Sequence, residues 1–254
     1  MSRAVIVKSE RELDLMRQAG KIVAKVHAAL RERAAPGVST GELDELAEEI
    51  IRSEDAVPSF LGYGRPPFPA TICASIDNEL VHGIPSRSRL LEEGQILSVD
   101  VGAIYKGYHG DAAFTMGIGQ IPEKTQDLLD VTEGALAAGI GAAQAGNRVG
   151  DISAAIQEYV ETRGYSVVRE YTGHGIGREM HEGLQVLNYG QPGHGVRLRA
   201  GMTIALEPMV NVGDWRTKVL DDDWTVVTRD GSLSAHFEHT IAVRNGEAEI
   251  LTHL

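Results

Sequence analysis

Two aspartates, Asp100 and Asp111, lie in the stretch 94–117, GQILSVDVGAIYKGYHGDAAFTMG. It reads as two apolar strands around a three-residue turn, Tyr105-Lys106-Gly107, with Gly where φ is positive. Folding about that turn sets the carboxylates opposite one another, within one residue of bulge. Facing like charges destabilise a strand pair, and Asp is a poor strand residue. A bound cation would offset the repulsion; a shared proton is the alternative. Two more acids sit where apolar residues are expected: Glu207 inside GMTIALEP (201–208) and Glu238 inside the stretch 232–243. His174 lies in TGHGIG (172–177), His82 in VHGIP (81–85), and His181 follows closely. Carboxylates with imidazole and no thiolate suit Mn, Fe, Co or Zn in a catalytic site rather than a structural zinc site.

Each residue also has a plain alternative. Glu207 precedes Pro208 and could simply end a strand. Glu238 could pair with His236 or His239 on an exposed strand. His174 could be a surface residue, His82 a turn residue, and Cys73 a small core hydrophobe. The glycines at 173, 175 and 177 make no dinucleotide fingerprint, because no strand-to-helix unit surrounds them.

The elements that position these residues follow from spacing. Ser9 and Glu12 have capping-box spacing, and Leu13, Met16, Ile22, Val23, Val26 and Leu30 give an amphipathic helix to about Arg33. Pro36-Gly37 breaks it. Ser39 and Glu42 open a second helix with Leu43, Leu46, Ala47, Ile50 and Ile51 on its apolar face. Residues 57–69 are proline-rich loop, and ATICASI (70–76) alternates as a strand. After Pro122 the order starts again: helices over about 123–144 and 151–162, a strand near 166–168, the strand 201–208, then a strand pair over about 224–229 and 232–243 joined by Asp230-Gly231. Asn245-Gly246 leads to a last strand.

The two halves align in order. Gly37 and Gly41 match Gly146 and Gly150. His82-Gly83-Ile84 recurs as His174-Gly175-Ile176. Asp100 follows Gly94 at the same distance as Glu207 follows Gly201, and His109-Gly110-Asp111 matches His236-Phe237-Glu238. Two helix-helix-strand-hairpin units, about 9–120 and 123–254, are expected to pack face to face about a pseudo-twofold axis. The strands would form one antiparallel sheet with the helices outside, an α+β fold in a single domain over 1–254. An axis between the hairpins makes Asp100, Asp111, Glu207 and Glu238 converge. Unpaired, four buried carboxylates are prohibitively costly. Two divalent cations balance them, with carboxylates bridging ions about 3.5–4 Å apart, a device of hydrolases. His174 or His181 would add nitrogen. This joint occurrence in repeat order counts against independent plain readings.

Composition narrows the classes. A net charge of -12 leaves no electrostatic footprint for nucleic acid or anionic membrane. The single cysteine, Cys73, permits no internal disulfide and points to a reducing compartment. The start of the chain has no apolar signal core, and no run is long enough to span a bilayer. A cytoplasmic protein is expected.

The motifs NELVHGIP (78–85), SVDVG with HGDAAF (98–114), YTGHGIGREMHE (171–182), ALEPM (205–209) and SAHFEHT (234–240) run through nearly the whole chain. Together they resemble the bacterial type I methionine aminopeptidases, of the pita-bread fold shared with aminopeptidase P, prolidase and creatinase. The resemblance implies removal of the initiator methionine from nascent proteins, with a small second residue preferred, by a hydroxide activated at a dinuclear site. It implies five ligands for two ions (Co, Mn, Fe or Zn): Asp111 and Glu238 bridging, Asp100 completing one site, His174 and Glu207 the other. Glu207 would also shuttle the proton. His181 would stabilise the oxyanion, and His82 would hold the peptide or assist the leaving amine. Tyr63, Phe68, Cys73, Met180 and Trp224 would line the methionine pocket. Met180 stands where better-known relatives have Phe, and the loop GRPPFP (64–69) departs from the usual pattern; both bear on pocket shape. The partners implied are N-termini of nascent chains and, transiently, the ribosome, for a monomeric enzyme. The stretch 182–201 is too short for the type II insertion, and no extra N-terminal domain of the aminopeptidase P or prolidase kind is expected. Two rivals remain on this fold: an Xaa-Pro peptidase, and a metal-free binding protein that has lost its ligands.

Overall fold

The structure is a computed structural model that describes residues 5–254. Among these residues four helices flank antiparallel strand ladders: α1 (Glu10–Arg33), α2 (Thr40–Ser53), α3 (Glu123–Ala142) and α4 (Val149–Glu161). The capping signals act where they stand. The Ser9 backbone N–H donates to Glu12 Oε2 at 2.9 Å, and that of Ser39 donates to Glu42 Oε2 at 3.0 Å. Asp151 caps α4 in the same way, accepting from the Arg148 N–H at 2.7 Å. No helix among the described residues is long and apolar enough to cross a membrane.

The central hairpin pairs Ile96–Tyr105 with Tyr108–Gly117. Its turn is the two-residue kind rather than the three-residue kind expected: Tyr105 pairs with Tyr108, and Lys106 and Gly107 both have positive φ, 47° and 81°. That is the type I′ pattern, whose twist matches the flanking strands. Against direct opposition of the two aspartates, the register is two positions off. Asp100 faces Ala113, and Asp111 faces Gly102. A shift of two preserves the face, so the carboxylates are diagonal neighbours on the same side. Diagonal placement leaves room between them that direct opposition would not.

In the second half Thr203–Leu206 pairs antiparallel with His239–Ala242 across a long excursion of the chain, and Thr172–Gly175 adds on the far side with His174 opposite Ala205. The two halves start these strands alike. Gly94 and Gly201 precede them with φ of 88° and 87°, a conformation that disfavours any side chain.

A seam joins the halves. Ala113 and Glu238 exchange backbone hydrogen bonds, Glu238 N–H to Ala113 O at 2.9 Å and the reverse at 3.3 Å. On one side of this pair Thr240 Oγ1 accepts from the Asp111 N–H at 3.0 Å and donates to the Asp111 carbonyl at 2.8 Å. On the other, Thr115 Oγ1 accepts from the His236 N–H and donates to its carbonyl, each at 2.9 Å. One threonine from each half thus replaces a ladder pair. For this reason the strands do not form the single sheet expected. They divide into a four-stranded and a five-stranded ladder meeting at the seam, with two three-stranded ribbons beside them.

A second expectation also fails. Val226–Thr228 does not pair with the strand after Asp230-Gly231; it pairs with Thr217–Val219 and Glu79–Val81. The turn closes locally, with Thr228 Oγ1 donating to the Ser232 carbonyl, and Ser234–His236 crosses to Met209–Asn211 instead. The last strand, Glu249–Ile250, pairs with Ile241–Ala242 as expected. Helices cover the outer face. α1 crosses the Asp111 strand so closely that a Cβ on Gly110 would lie 2.7 Å from the Gly20 nitrogen.

Thr240→Val keeps the shape but strands a buried N–H and a buried carbonyl of Asp111. It should destabilise the protein by about 2–4 kcal/mol, read by denaturant unfolding, whereas Thr240→Ser should lose less than half of that.

Candidate metal centre and substrate pocket

Residues paired across neighbouring strands, and residues two apart along one strand, share a face. Cys73 pairs with Asp100, Asp100 with Ala113, and Ala113 meets Glu238 across the seam. Beside this row Asp111 meets Thr240, which pairs with Ala205, and Ala205 faces His174. Glu207 lies two residues beyond Ala205. The five residues implied as ligands therefore share one face, at the mid-line between the halves.

Ligand atoms of Asp111, His174 and Glu238 lie within 4.8 Å of one another. His174 Nε2 is 3.6 Å from Glu207 Oε1 and 3.9 Å from Asp111 Oδ2. The Asp100 and Asp111 side chains are within hydrogen-bond reach of each other. Yet Asp100 Oδ1, Asp111 Oδ1 and Glu238 Oε1 are buried without a hydrogen-bond partner. Orphaned carboxyl oxygens gathered around one imidazole are the donor set of a divalent-cation centre, so these residues fit such an ion.

The electrostatics agree. Burial pushes the Asp100 carboxyl up to about 7 and that of Glu207 up to about 8. Burial, then the neighbouring carboxyls, drives Asp111 and Glu238 well above the usual range. Burial lowers His174 to about 3 and His82 to about 4, and it also lowers His181 and His236. Without cations the site holds protons on its acids and leaves its imidazoles neutral.

Next to this cluster is a cavity of about 130 Å³, walled by Phe60, Tyr63, Phe68, Cys73, His82, Met180, His181 and Trp224 as well as the five ligand candidates. That is close to the volume of a cavity that takes a benzene-sized group. Phe68 meets Trp224 edge-on with ring centroids 5.1 Å apart. The Tyr63 hydroxyl contacts His181 Nδ1 at 2.7 Å, and the His181 ring lies 4.1 Å from that of His174. His82 has a positive φ of 59°, uncommon for a side chain of its size, and packs edge-on to Tyr171 and Trp224. All of the residues expected in the site are brought together. Met180 is 3% exposed and Cys73 4%, and burial keeps Cys73 a neutral thiol.

The plain alternatives resolve differently. Glu238 is 2% exposed and so does not stand on an exposed strand, and His174 is not a surface residue. Glu207 does end its strand, and Cys73 does belong to a small apolar cluster with Phe68 and Ala70; both line the cavity as well. Sequence reasoning missed Phe60, which carries no motif. It also missed Asn188, whose Nδ2 donates to the Glu207 carbonyl at 3.0 Å, and His236, whose Nε2 is 3.6 Å from Glu207 Oε2. His236 did carry a signal, its place opposite His109 in the repeat.

Carboxyls with raised folded pKa stabilise below their unfolded pKa, and that stability is lost as pH rises through the folded value. The metal-free protein should therefore weaken between about pH 7 and 8, above the range where the histidines titrate and up to the folded value of Glu207. Glu207 alone contributes about 1 kcal/mol to that fall. Thermal melting with a chelator should show the fall, and saturating Mn(II) should abolish it.

The comparisons extend over the same residues. Positions 14–245 match the model of metallopeptidase family M24. A methionine aminopeptidase of Clostridium acetobutylicum is 54% identical over 248 residues, 98% of this chain and 98% of that protein. Methionine aminopeptidase 1 of Bacillus subtilis is 51% identical, over 98% of this chain and 99% of its own length. The crystal structure of methionine aminopeptidase from Thermotoga maritima superposes with a TM-score of 0.96 at 45% identity, covering 99% of this chain and 100% of that one. With a family match over most of its length and a site that fits metal, this chain belongs to metallopeptidase family M24 and has its pita-bread fold.

Proposed function

We propose that this protein is a methionine aminopeptidase, which hydrolyses the first peptide bond of chains beginning with methionine. One observation carries the reading. The five ligand candidates share a face beside a cavity large enough for one side chain, in a chain about half identical to methionine aminopeptidases throughout its length. Residues 1–254 would act as one catalytic domain, monomeric and cytoplasmic, on the N-termini of nascent chains, with transient access to the ribosome.

Asp111 and Glu238 would be shared by two divalent ions, Co, Mn, Fe or Zn, with Asp100 completing one site and His174 and Glu207 the other. Bound there, the ions supply positive charge that polarises the scissile carbonyl and makes a nucleophile of water near neutral pH. The chain's own residues do the rest. Phe68, Cys73, Met180 and Trp224 enclose the methionine side chain, with Tyr63 at the rim. Met180 is adaptable enough to pack on a thioether in place of an aromatic ring. Glu207 carries the proton from the attacking water toward the leaving amine. Tyr63 occupies Nδ1 of His181, leaving Nε2 to donate to the developing oxyanion. His82, neutral and held between two aromatic rings, contacts the peptide on the leaving side. Because one side chain fills the cavity, the second residue must fit at the rim beside Tyr63, His82 and His181, which favours a small one.

Asp111→Asn should reduce kcat/KM on a Met-Gly peptide by at least about 100-fold, ~2.7 kcal/mol of transition-state stabilisation. The same variant should melt no lower than wild type without metal, because Asn keeps the shape of the protonated, neutral Asp111. Wild-type turnover in it would remove the reading. Comparing Met-Ala-Ser with Ala-Pro-Ala separates this activity from an Xaa-Pro peptidase, and cleavage of the proline peptide alone would overturn it. Full activity in the presence of a chelator would contradict the metal assignment.

A further inference from the structure

His236 is neither a ligand candidate nor a wall of the cavity, yet its ring is buried beside Glu207. It is 2% exposed, and its Nε2 is buried with no hydrogen-bond partner. Buried polar atoms without partners are rare enough to need a reason. The carboxylate nearest that nitrogen is Glu207, with Oε2 at 3.6 Å, while the other oxygen of Glu207, Oε1, is 3.6 Å from His174 Nε2. Glu207 is thus bracketed by two imidazoles, one for each oxygen.

The His236 backbone is fixed on both sides. It pairs with Met209, and Thr115 Oγ1 engages both its N–H and its carbonyl across the seam. Thr115 Oγ1 is itself 2.8 Å from Ser98 Oγ. The Glu207 backbone is held separately by Asn188. The ring and the carboxylate therefore meet from two rigid supports. His236 does not belong to the group whose ligand atoms lie within 4.8 Å of one another, which holds Asp111, His174 and Glu238.

We propose that His236 is a positioning residue for Glu207: its Nε2–H donates to Oε2 and so turns Oε1 toward the ion shared with His174. The inference rests on the metal-centre reading above. Hydrogen bonds of this kind are often long before a site is fully assembled and tighten on binding. Outer partners that orient a ligating carboxylate typically govern affinity by about 10–100-fold.

The test compares wild type with His236→Leu and His236→Gln, the second keeping an N–H donor. Co(II) binding is followed by calorimetry and by the visible absorption of the bound ion. His236→Leu should weaken one class of Co(II) binding by about 10–100-fold and change the absorption of that ion, with the melting temperature of the metal-free protein close to wild type. His236→Gln should recover most of the affinity and the wild-type absorption. If His236→Leu does not fold, His236→Phe, closer in shape, takes its place with the same expectation. Wild-type affinity and absorption in the donor-free variant would overturn the inference alone. No Co(II) uptake by wild type would overturn the metal reading, and the inference with it.

Discussion

Mutual repulsion among four carboxyl groups in a water-poor pocket is the constraint on which the rest of this structure depends. Asp100, Asp111, Glu207 and Glu238 lie on one face of strands whose other residues are almost all buried. In that setting they can share protons or surround cations, but they cannot stand ionised and alone. A protein that used them only for stability would gain by replacing them with apolar side chains of similar volume. Their presence is therefore a functional statement, and divalent metal is the counter-charge that their chemistry suits.

The scaffold meets this constraint by holding the charges on rigid backbone from two directions. The acids enter as pairs, one pair from each half, and the halves touch where Ala113 meets Glu238. Thr240 and Thr115 bridge that contact symmetrically, so the strands bearing Asp111 and Glu238 are kept in register without a full ladder. The absence of ladder pairing at these two positions leaves the sheet divided, and the division falls at the site. The other groups that line the cavity are drawn from elsewhere. Tyr63 and Phe68 come from the proline-rich loop, His82 from a positive-φ position after a short strand, and Met180 and His181 from the segment before the strand Glu182–Leu187.

Much of this was legible in the sequence because the information is local. Capping boxes at Ser9 and Ser39, helix breaks at Gly37 and Gly146, and glycines at 94 and 201 act through neighbouring backbone, and they fall where spacing places them. The ligand candidates were legible because acids inside apolar strands violate the pattern, and because the motifs resemble a known family. Other features were not local. A two-residue turn at Lys106-Gly107 differs from a three-residue one by one register step, and strands buried on both faces carry no alternation that would choose between them. The partner of Val226–Thr228 is set by tertiary packing, not by the Asp230-Gly231 turn beside it. His236 reads as a possible partner of Glu238 on an exposed strand because nothing nearby in sequence reveals that Thr115, from the other half, holds its backbone across the seam.

Anomalous diffraction from crystals of the protein soaked in Mn(II) tests the central claim most directly. The account predicts two peaks about 3.5–4 Å apart, with Asp111 and Glu238 between them, Asp100 on one and His174 and Glu207 on the other. Carboxyl groups hydrogen-bonded to one another around a pocket with no anomalous peak would contradict it.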